Sequence, residues 1–574
     1  MHCCAIQSIT LSFLIVSVVG VGLADNQPAD LVLHGGKIVT VDADRPQVES
    51  LAARGGKIVA LGTDEEVKPL IGPKTRVIDL AGRLAVPGFI EGHGHFVGLG
   101  HSMQILDLTK AKTWEDIARQ VAAAARTAPP GRWITGRGWH QSKWTKKPAP
   151  DVEGYPTHDL LSEAAPNHPV LLTHASGHAL VANAMAMRLA NVDASTSDPA
   201  GGEILHDAAG EPSGVFRETA QGLIYRAHSV ALNKLPAAKH RAELLASIRL
   251  AGRECLKHGV TSFQDAGSSL ATIDVFRALA KDGKLPVRLW VMVGDSNARM
   301  AAGLARARVV GAGDNFLTVR GIKRSIDGAL GSHGAWMLEP YNDLPQSRGL
   351  NTSSLRSLRE TARLAIANDY QLCVHAIGDR ANRETLDLFA DVFKKHPSEK
   401  SRRWRIEHAQ HLHPDDIPRF AKLGVIASMQ GIHCTSDAVF VTRRLGERRA
   451  AQGAYVWQSL LKSGAVVTNG SDVPVEPISP IASFYASVTR RLDRGATFFP
   501  KQKMTRQQAL HSYTAAGAYA AFEEDIKGTL AVGKLADVVV LSEDIMTVPE
   551  EKIRGAKVDL TIIGGRVVYE REQE

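Results

Sequence analysis

Residues 87–96 read PGFIEGHGHF, an apolar run that ends among glycines with two histidines one residue apart. Side chains alternate between faces along a strand, so His93 and His95 point the same way. The pair is either half of a metal site or an ordinary polar strand end, and the run alone leaves both open. Working outward, RLAVPGFIEGH is the first of eight buried-strand candidates. The others are GVTSFQDAG, LPVRLWVMVG, VRGIKRSIDG, QLCVHAIGD, RWRIEHAQ, GVIASMQG and GAVVTNGSD. Stretches able to form helices separate most of them, for example TSSLRSLRETARLAIAND and ANRETLDLFADVFKKH. Eight β–α units predict an α/β protein built on a (β/α)8 TIM barrel.

The flanks have a different texture. DLVLHGGKIVTVD, ESLAARGGKIVALG and TRVIDLAGRLAVPG near the start, with GTLAVGKLADVVVLSED and VDLTIIGGRVVYE near the end, are short alternating runs punctuated by glycine. They predict a small β-sandwich domain formed from both termini, residues 29–84 with 527–574, beside a barrel at 85–526. Residues 97–258 are an insertion after the first strand, on the side where barrel active sites lie, and are expected to form the substrate wall. Residues 6–24, IQSITLSFLIVSVVGVGLA, are apolar, uncharged and end in small residues. Residues 1–24 therefore read as a secretory signal peptide, so a periplasmic or extracellular location is expected, with an uncleaved anchor as the alternative. No membrane span is expected after cleavage.

Hydrophobic content of 44% and charged content of 22% over 574 residues are those of an ordinary folded protein. The net charge of +8 is spread thinly, without the basic stripe of a nucleic-acid binder, so no nucleic-acid partner is expected. Beyond the signal segment, Cys255, Cys373 and Cys434 are isolated. They suggest neither a disulfide framework nor sulfur-ligated zinc.

Polar residues gather at the C-terminal ends of the strand candidates: His93 and His95, Lys323, His375, His408 and Asp472. On a barrel these meet at one mouth. Imidazole nitrogen and carboxylate oxygen are ligands zinc takes, and a catalytic site keeps a place for water. Asp472 would both ligate metal and take a proton. Alternatives stand at single positions. His375 and His408, each taken alone, read as hydrogen-bonded core histidines. Asp472 reads as the cap of the next helix, and Lys323 as a long side chain reaching water, with Asp327 on the same alternating face as a substitute ligand. Asp265 is a candidate partner for a ligand imidazole. His411 and His413 read as loop surface, and Asp379 with Arg380 as an ion pair shaping its loop.

PGFIEGHGH, HAIGDRAN, RIEHAQ and NGSDVPVEP resemble the metal-binding strand motifs of the metal-dependent amidohydrolase superfamily. IDGALGSHGAW, GEPSGVFRETA, SMQGIHCTSD and AYVWQSLL resemble its amidohydrolase family 3 branch, where proteins similar to N-substituted formamide deformylase sit. The resemblance implies a binuclear site in which His93, His95 and Asp472 hold one metal, and His375 and His408 the second. It further implies that Lys323, carboxylated by CO2, bridges them. Zn2+ is the expected metal, as one ion or two, with other divalent metals open. The implied activity is hydrolysis of non-peptide C–N bonds in a small amide, N-substituted formamide or cyclic amide, with Asp472 as proton shuttle. His178, His433 and His333 are implied substrate-side residues. His333 and Gly431 depart from the branch, where arginine and proline are common, which leaves the substrate's identity open. A homo-oligomer is compatible with this reading. A non-catalytic regulatory protein and an esterase or lactonase are the competing readings, and the complete ligand set speaks against the first.

Overall fold

The central runs are rich in valine, isoleucine and leucine, which suits parallel strands covered on both faces. In the computed structural model, which describes residues 27–398 and 401–572, they form β1 (Phe89–Gly94), β2 (Val260–Ser268), β3 (Arg288–Val293), β4 (Leu317–Ser325), β5 (Gln371–Ala376), β6 (Arg405–His408), β7 (Ile426–Gln430) and β8 (Val467–Gly470). These strands pair in parallel and in chain order. The cylinder closes between β8 and β1, where the Asp472 amide donates to His93 O at 2.8 Å. Closure demands glycine at 92, because a Cβ there would lie 2.4 Å from Asn469 O. Each predicted strand is present, and the TIM barrel stands.

Side chains fill the barrel below its mouth. Trp290, Met292 and Cys373 pack together, and a Cβ at Gly321 would sit 2.6 Å from the Trp290 ring. Arg405 lies fully buried 5.6 Å from the same ring. The floor under the site is therefore solid, so ligands approach only from the C-terminal mouth.

RLAVPGFIEGH splits in two. Its first part, Leu84–Pro87, joins the terminal sheet and pairs antiparallel with Val538–Leu541. Gly88 marks the break, where a Cβ would lie 2.2 Å from Thr261 Oγ1. A four-stranded sheet from the N-terminal side and a six-stranded sheet drawn from both chain ends enclose Leu31, Leu51, Ile58, Val538, Leu560 and Ile562. The insertion folds as a mixed sheet of six strands from Leu106–Asp107 to Pro212–Glu218. Its own core contains Trp114, Trp139, Tyr155 and Val215. The helix Ala237–Lys257, by contrast, returns the chain to β2 and packs on Phe96–Ser102, with Gly100 against Ser247 O. The wall is thus narrower than residues 97–258. Among the described residues no helix is long and apolar enough to cross a membrane, and the signal-peptide expectation lies outside them.

Candidate metal centre

Alternation on β1 turns Glu91 and His93 into the barrel, both fully buried. His93 Nδ1 donates to Glu407 Oε2 at 2.5 Å, which fixes the tautomer and leaves Nε2 facing the mouth. That Nε2 lies 3.6 Å from Asp472 Oδ1 and 3.4 Å from Lys323 Nζ. His95, just past β1, brings its Nε2 to 3.3 Å from Asp472 Oδ1. His93, His95 and Asp472 present ligand atoms within 4.8 Å of one another, and so do His408, His433 and Asp472. The His375 ring stands 4.6 Å from that of His408. The six sequence-derived ligand candidates therefore converge.

Among the described residues, three buried atoms in this group have no hydrogen-bond partner: His375 Nε2, His433 Nε2 and Asp472 Oδ1. Orphaned buried acceptors are costly, and several in one place call for a cation. This nitrogen and oxygen set fits a divalent ion such as zinc. His408 and Asp472 also hold left-handed backbone, φ 76° and 57°. Non-glycine residues pay for that conformation with strain, which functional sites retain when it aims a side chain. At His408 the effect is direct: alternation turns Arg405 and Glu407 inward, and the reversed φ brings the next residue inward too.

The electrostatics favour ligation. Burial drives His375 and His408 well below the usual imidazole range and His93 to about 4, leaving them neutral. Burial likewise lowers Lys323. Burial alone would raise Asp472, but the His95 imidazole 3.3 Å away and the other imidazoles around it hold it well below the ordinary carboxylate range. Glu407 resists the same penalty because buried Arg405 contacts it at 2.7 Å and His93 donates to it. Asp327 is pushed up to about 7 by burial, although it accepts from the amides of Trp336, Ile377 and Gly378 at 2.8–3.0 Å. Those bonds make Asp327 a clamp for two loops, while Lys323 reaches the centre.

A model of the amidohydrolase family matches residues 76–569. The chain belongs to that family. Its broad class is accordingly metal-dependent hydrolase. This amidohydrolase is 31% identical over 554 residues to the protein LONG AFTER FAR-RED 3 of Arabidopsis thaliana, covering 94% of this chain and 92% of that one. It is 28% identical over 554 residues to the N-substituted formamide deformylase of Arthrobacter pascens, covering 95% and 99%. Among solved structures, it is similar to an uncharacterized metal-dependent hydrolase from Pyrococcus horikoshii. The TM-score is 0.70 at 26% identity, and 91% of this chain and 99% of that one are covered.

Around the metal donors of the amidohydrolase lies a cavity of about 790 Å³, lined by His95, His178, Lys323, His375, His408 and Asp472 among others. His178 comes from the insertion; its Nδ1 donates to Glu218 Oε2 at 2.7 Å and its ring lies 4.9 Å from His375. His433 receives the Gln410 amide on Nδ1 at 2.9 Å. His333 differs: it is buried, 3.3 Å from Asp343 Oδ1, against Tyr341, and is not among the residues lining this cavity. Its expected place beside substrate is therefore not where the fold puts it.

Three smaller expectations are corrected. His411 is buried, only 2% exposed, because its amide bonds to Ile377 O and its ring packs on Tyr455. His413 does lie towards the surface, capping the turn Pro414–Asp416. Asp379 accepts from the Leu338 and Arg380 amides, whereas the Arg380 side chain faces Glu384 and Trp336, so the two are not an ion pair. Asp265 accepts from the Phe96 amide and Ser268 Oγ, which anchors the backbone beside His95 and leaves the imidazoles to others. Glu407, Glu218 and Gln430, which accepts from His408 Nδ1 at 2.8 Å, were absent from the sequence-derived set. Alternation on β6 was the available signal for Glu407, and GEPSGVFRETA already contained Glu218.

Proposed function

We propose that this amidohydrolase is an exported zinc-dependent enzyme that hydrolyses non-peptide C–N bonds in small amides, N-substituted formamides or cyclic amides. The observation that carries the proposal is the convergence of His93, His95, Lys323, His375, His408 and Asp472 at one barrel mouth, with unpartnered ligand atoms facing inward. The Arthrobacter pascens relative supports the bond type, and the uncharged apolar run at 6–24 supports export. His93, His95 and Asp472 would hold one ion, and His375 and His408 a second.

When bound, such an ion polarises a carbonyl and supplies nucleophilic water at neutral pH. The protein's own groups do the rest. Burial lowers Lys323, which favours the amine form that would add to CO2, forming one N–C bond and releasing one proton, and the resulting carbamate would supply anionic oxygen ligands to the metal. Asp472 takes the proton of the attacking water and passes it to the departing nitrogen as the C–N bond breaks. His178 donates to the carbonyl oxygen as negative charge develops there. Glu218 favours the donating form, holding His178 above its ordinary range despite burial.

The test is elemental analysis of the purified protein, followed by a panel of formamides, N-acyl amines and matched esters. Metal content with amide or formamide turnover that Asp472→Asn abolishes is the expected result. A protein inactive on every C–N substrate after zinc and bicarbonate are supplied refutes the reading, and turnover of esters alone assigns the site to the esterase class.

A further inference from the structure

Arg137 stands on the insertion strand Ile134–Trp139, in register with Thr173 of the neighbouring strand Val170–His174. Alternation turns Thr135 and Arg137 toward the cavity that holds the metal donors, beside Leu171 and Thr173. A bulge then follows: Gly138 has φ 102°, the register shifts, and Trp139 turns back into the insertion's own core. The bulge leaves Arg137 as the last residue of that strand to face the cavity.

The guanidinium is poorly satisfied. Nη2 donates to Ala175 O at 3.1 Å, Nε is buried without a partner, and among the described residues Arg137 forms no ion pair. Two carboxylates line the cavity, and neither forms an ion pair with Arg137. Asp265 is engaged by Phe96 N and Ser268, and Asp472 belongs to the metal donors. Burial pulls the Arg137 pKa down, against the opposing pull of Asp472 across the cavity. Tyr225 adds a hydroxyl on the same wall, 3.1 Å from Thr173 Oγ1, while Val97, Ile105 and Leu171 give the cavity an apolar stretch.

We propose that Arg137 receives a carboxylate of the substrate, so that the site selects amides and formamides carrying that group, such as N-formyl or N-acyl amino acids. This rests on the C–N hydrolase reading above and names its substrate class. The planar fork of arginine suits a carboxylate bidentately, and its half-buried place on the cavity wall makes the pair selective against a neutral analogue.

The test uses the full zinc-loaded protein and two ligands that differ by the carboxylate, N-formylphenylalanine and N-formylphenethylamine, measured by calorimetric binding and by turnover. Wild type is expected to prefer the carboxylate by about 10–100-fold, the range for a hydrogen-bonded charged group. In Arg137→Gln that ratio is expected to fall to within about threefold of unity, while Arg137→Lys retains part of it. Equal binding of the two ligands by wild type overturns the proposal, and so does a preference that survives in Arg137→Gln. Hydrolysis of both compounds without preference leaves the C–N reading standing and removes the role of Arg137. Binding that prefers the carboxylate through Arg137, with neither compound hydrolysed, upholds Arg137 and refutes the C–N reading.

Discussion

Replacing Glu407 with glutamine removes one charge and almost no volume, and the structure separates its two consequences. The Glu407 carboxylate lies 2.7 Å from Arg405 Nε, accepts from Arg405 Nη2 at 3.0 Å and accepts from His93 Nδ1 at 2.5 Å, all fully buried. In Glu407→Gln the guanidinium keeps Gln264 Oε1 and, both at 2.7 Å, Gly92 O and Ser428 Oγ, but loses the one carboxylate it pairs with among the described residues. Stranding one partner of a buried pair costs roughly 3–5 kcal/mol. Loss of the carboxylate behind a ligand histidine lowers metal affinity about 10–100-fold, equivalent to about 1.4–2.8 kcal/mol. The first effect is larger and needs no metal, so it appears in urea unfolding of chelator-treated protein. The second appears only in zinc competition titrations. Pairing the substitution with Arg405→Gln removes the stranded charge, so stability is expected to recover in large part while zinc affinity stays low. A Glu407→Gln protein that binds zinc as tightly as wild type refutes the role given to this carboxylate. A double variant recovering both properties together refutes the separation.

Three further outcomes follow from packing and charge. Gly431→Ala places a Cβ 2.3 Å from Ser487 Oγ and 2.8 Å from Ser483 O, and is expected to cost roughly 1–3 kcal/mol by thermal or urea melting. Gly431→Pro also loses the amide that donates to Asn469 Oδ1 at 2.7 Å, so it should melt lower still. Gly334→Ala would bring a Cβ within 2.0 Å of Glu218 Oε1, displacing the carboxylate that holds His178; kcat is expected to fall about 100-fold while zinc content is kept. Burial alone would raise Asp544, but hydrogen bonds from Lys37 and Thr547 hold it below its ordinary 3.8. Its contribution to stability is therefore full above that value and is lost as pH falls through the lower folded value. An acid melting series should lose this component in Asp544→Asn.

The barrel was legible because its strands are short apolar runs ending in polar residues, and burial on both faces leaves that composition few other uses. His93, Lys323, His375 and Asp472 followed from strand ends meeting at one mouth. His408 followed from its strand end as well, although alternation alone points it away from the interior. Only its reversed backbone turns it in, and no local pattern in RIEHAQ announces a φ of 76°. Glu218 and Arg137 stayed hidden for another reason. Their strands lie in a sheet whose order departs from chain order, so that Glu218 meets His178 across 40 residues. His333 and His411 sit in polar loops whose burial is decided by distant partners, Asp343 and Tyr341 for one and Tyr455 for the other.

The two sources of the site imply a division of labour. The candidate metal donors come from barrel strand ends, where closure and packing on all sides hold His93 and Asp472 to one geometry. His178, Glu218 and Arg137 come from the insertion sheet, which has its own core and therefore tolerates change without disturbing the barrel. The units meet closely at Glu218, whose carboxylate occupies space that only Gly328 and Gly334 of the loop after β4 leave open. That contact sets the insertion against the barrel and orients the histidine facing the metal donors. Substitutions at Arg137 should then alter which molecules bind, and those at Glu407 how tightly metal is held. Changes around Glu218 should act on turnover itself, because there the substrate wall and the chemistry share one carboxylate.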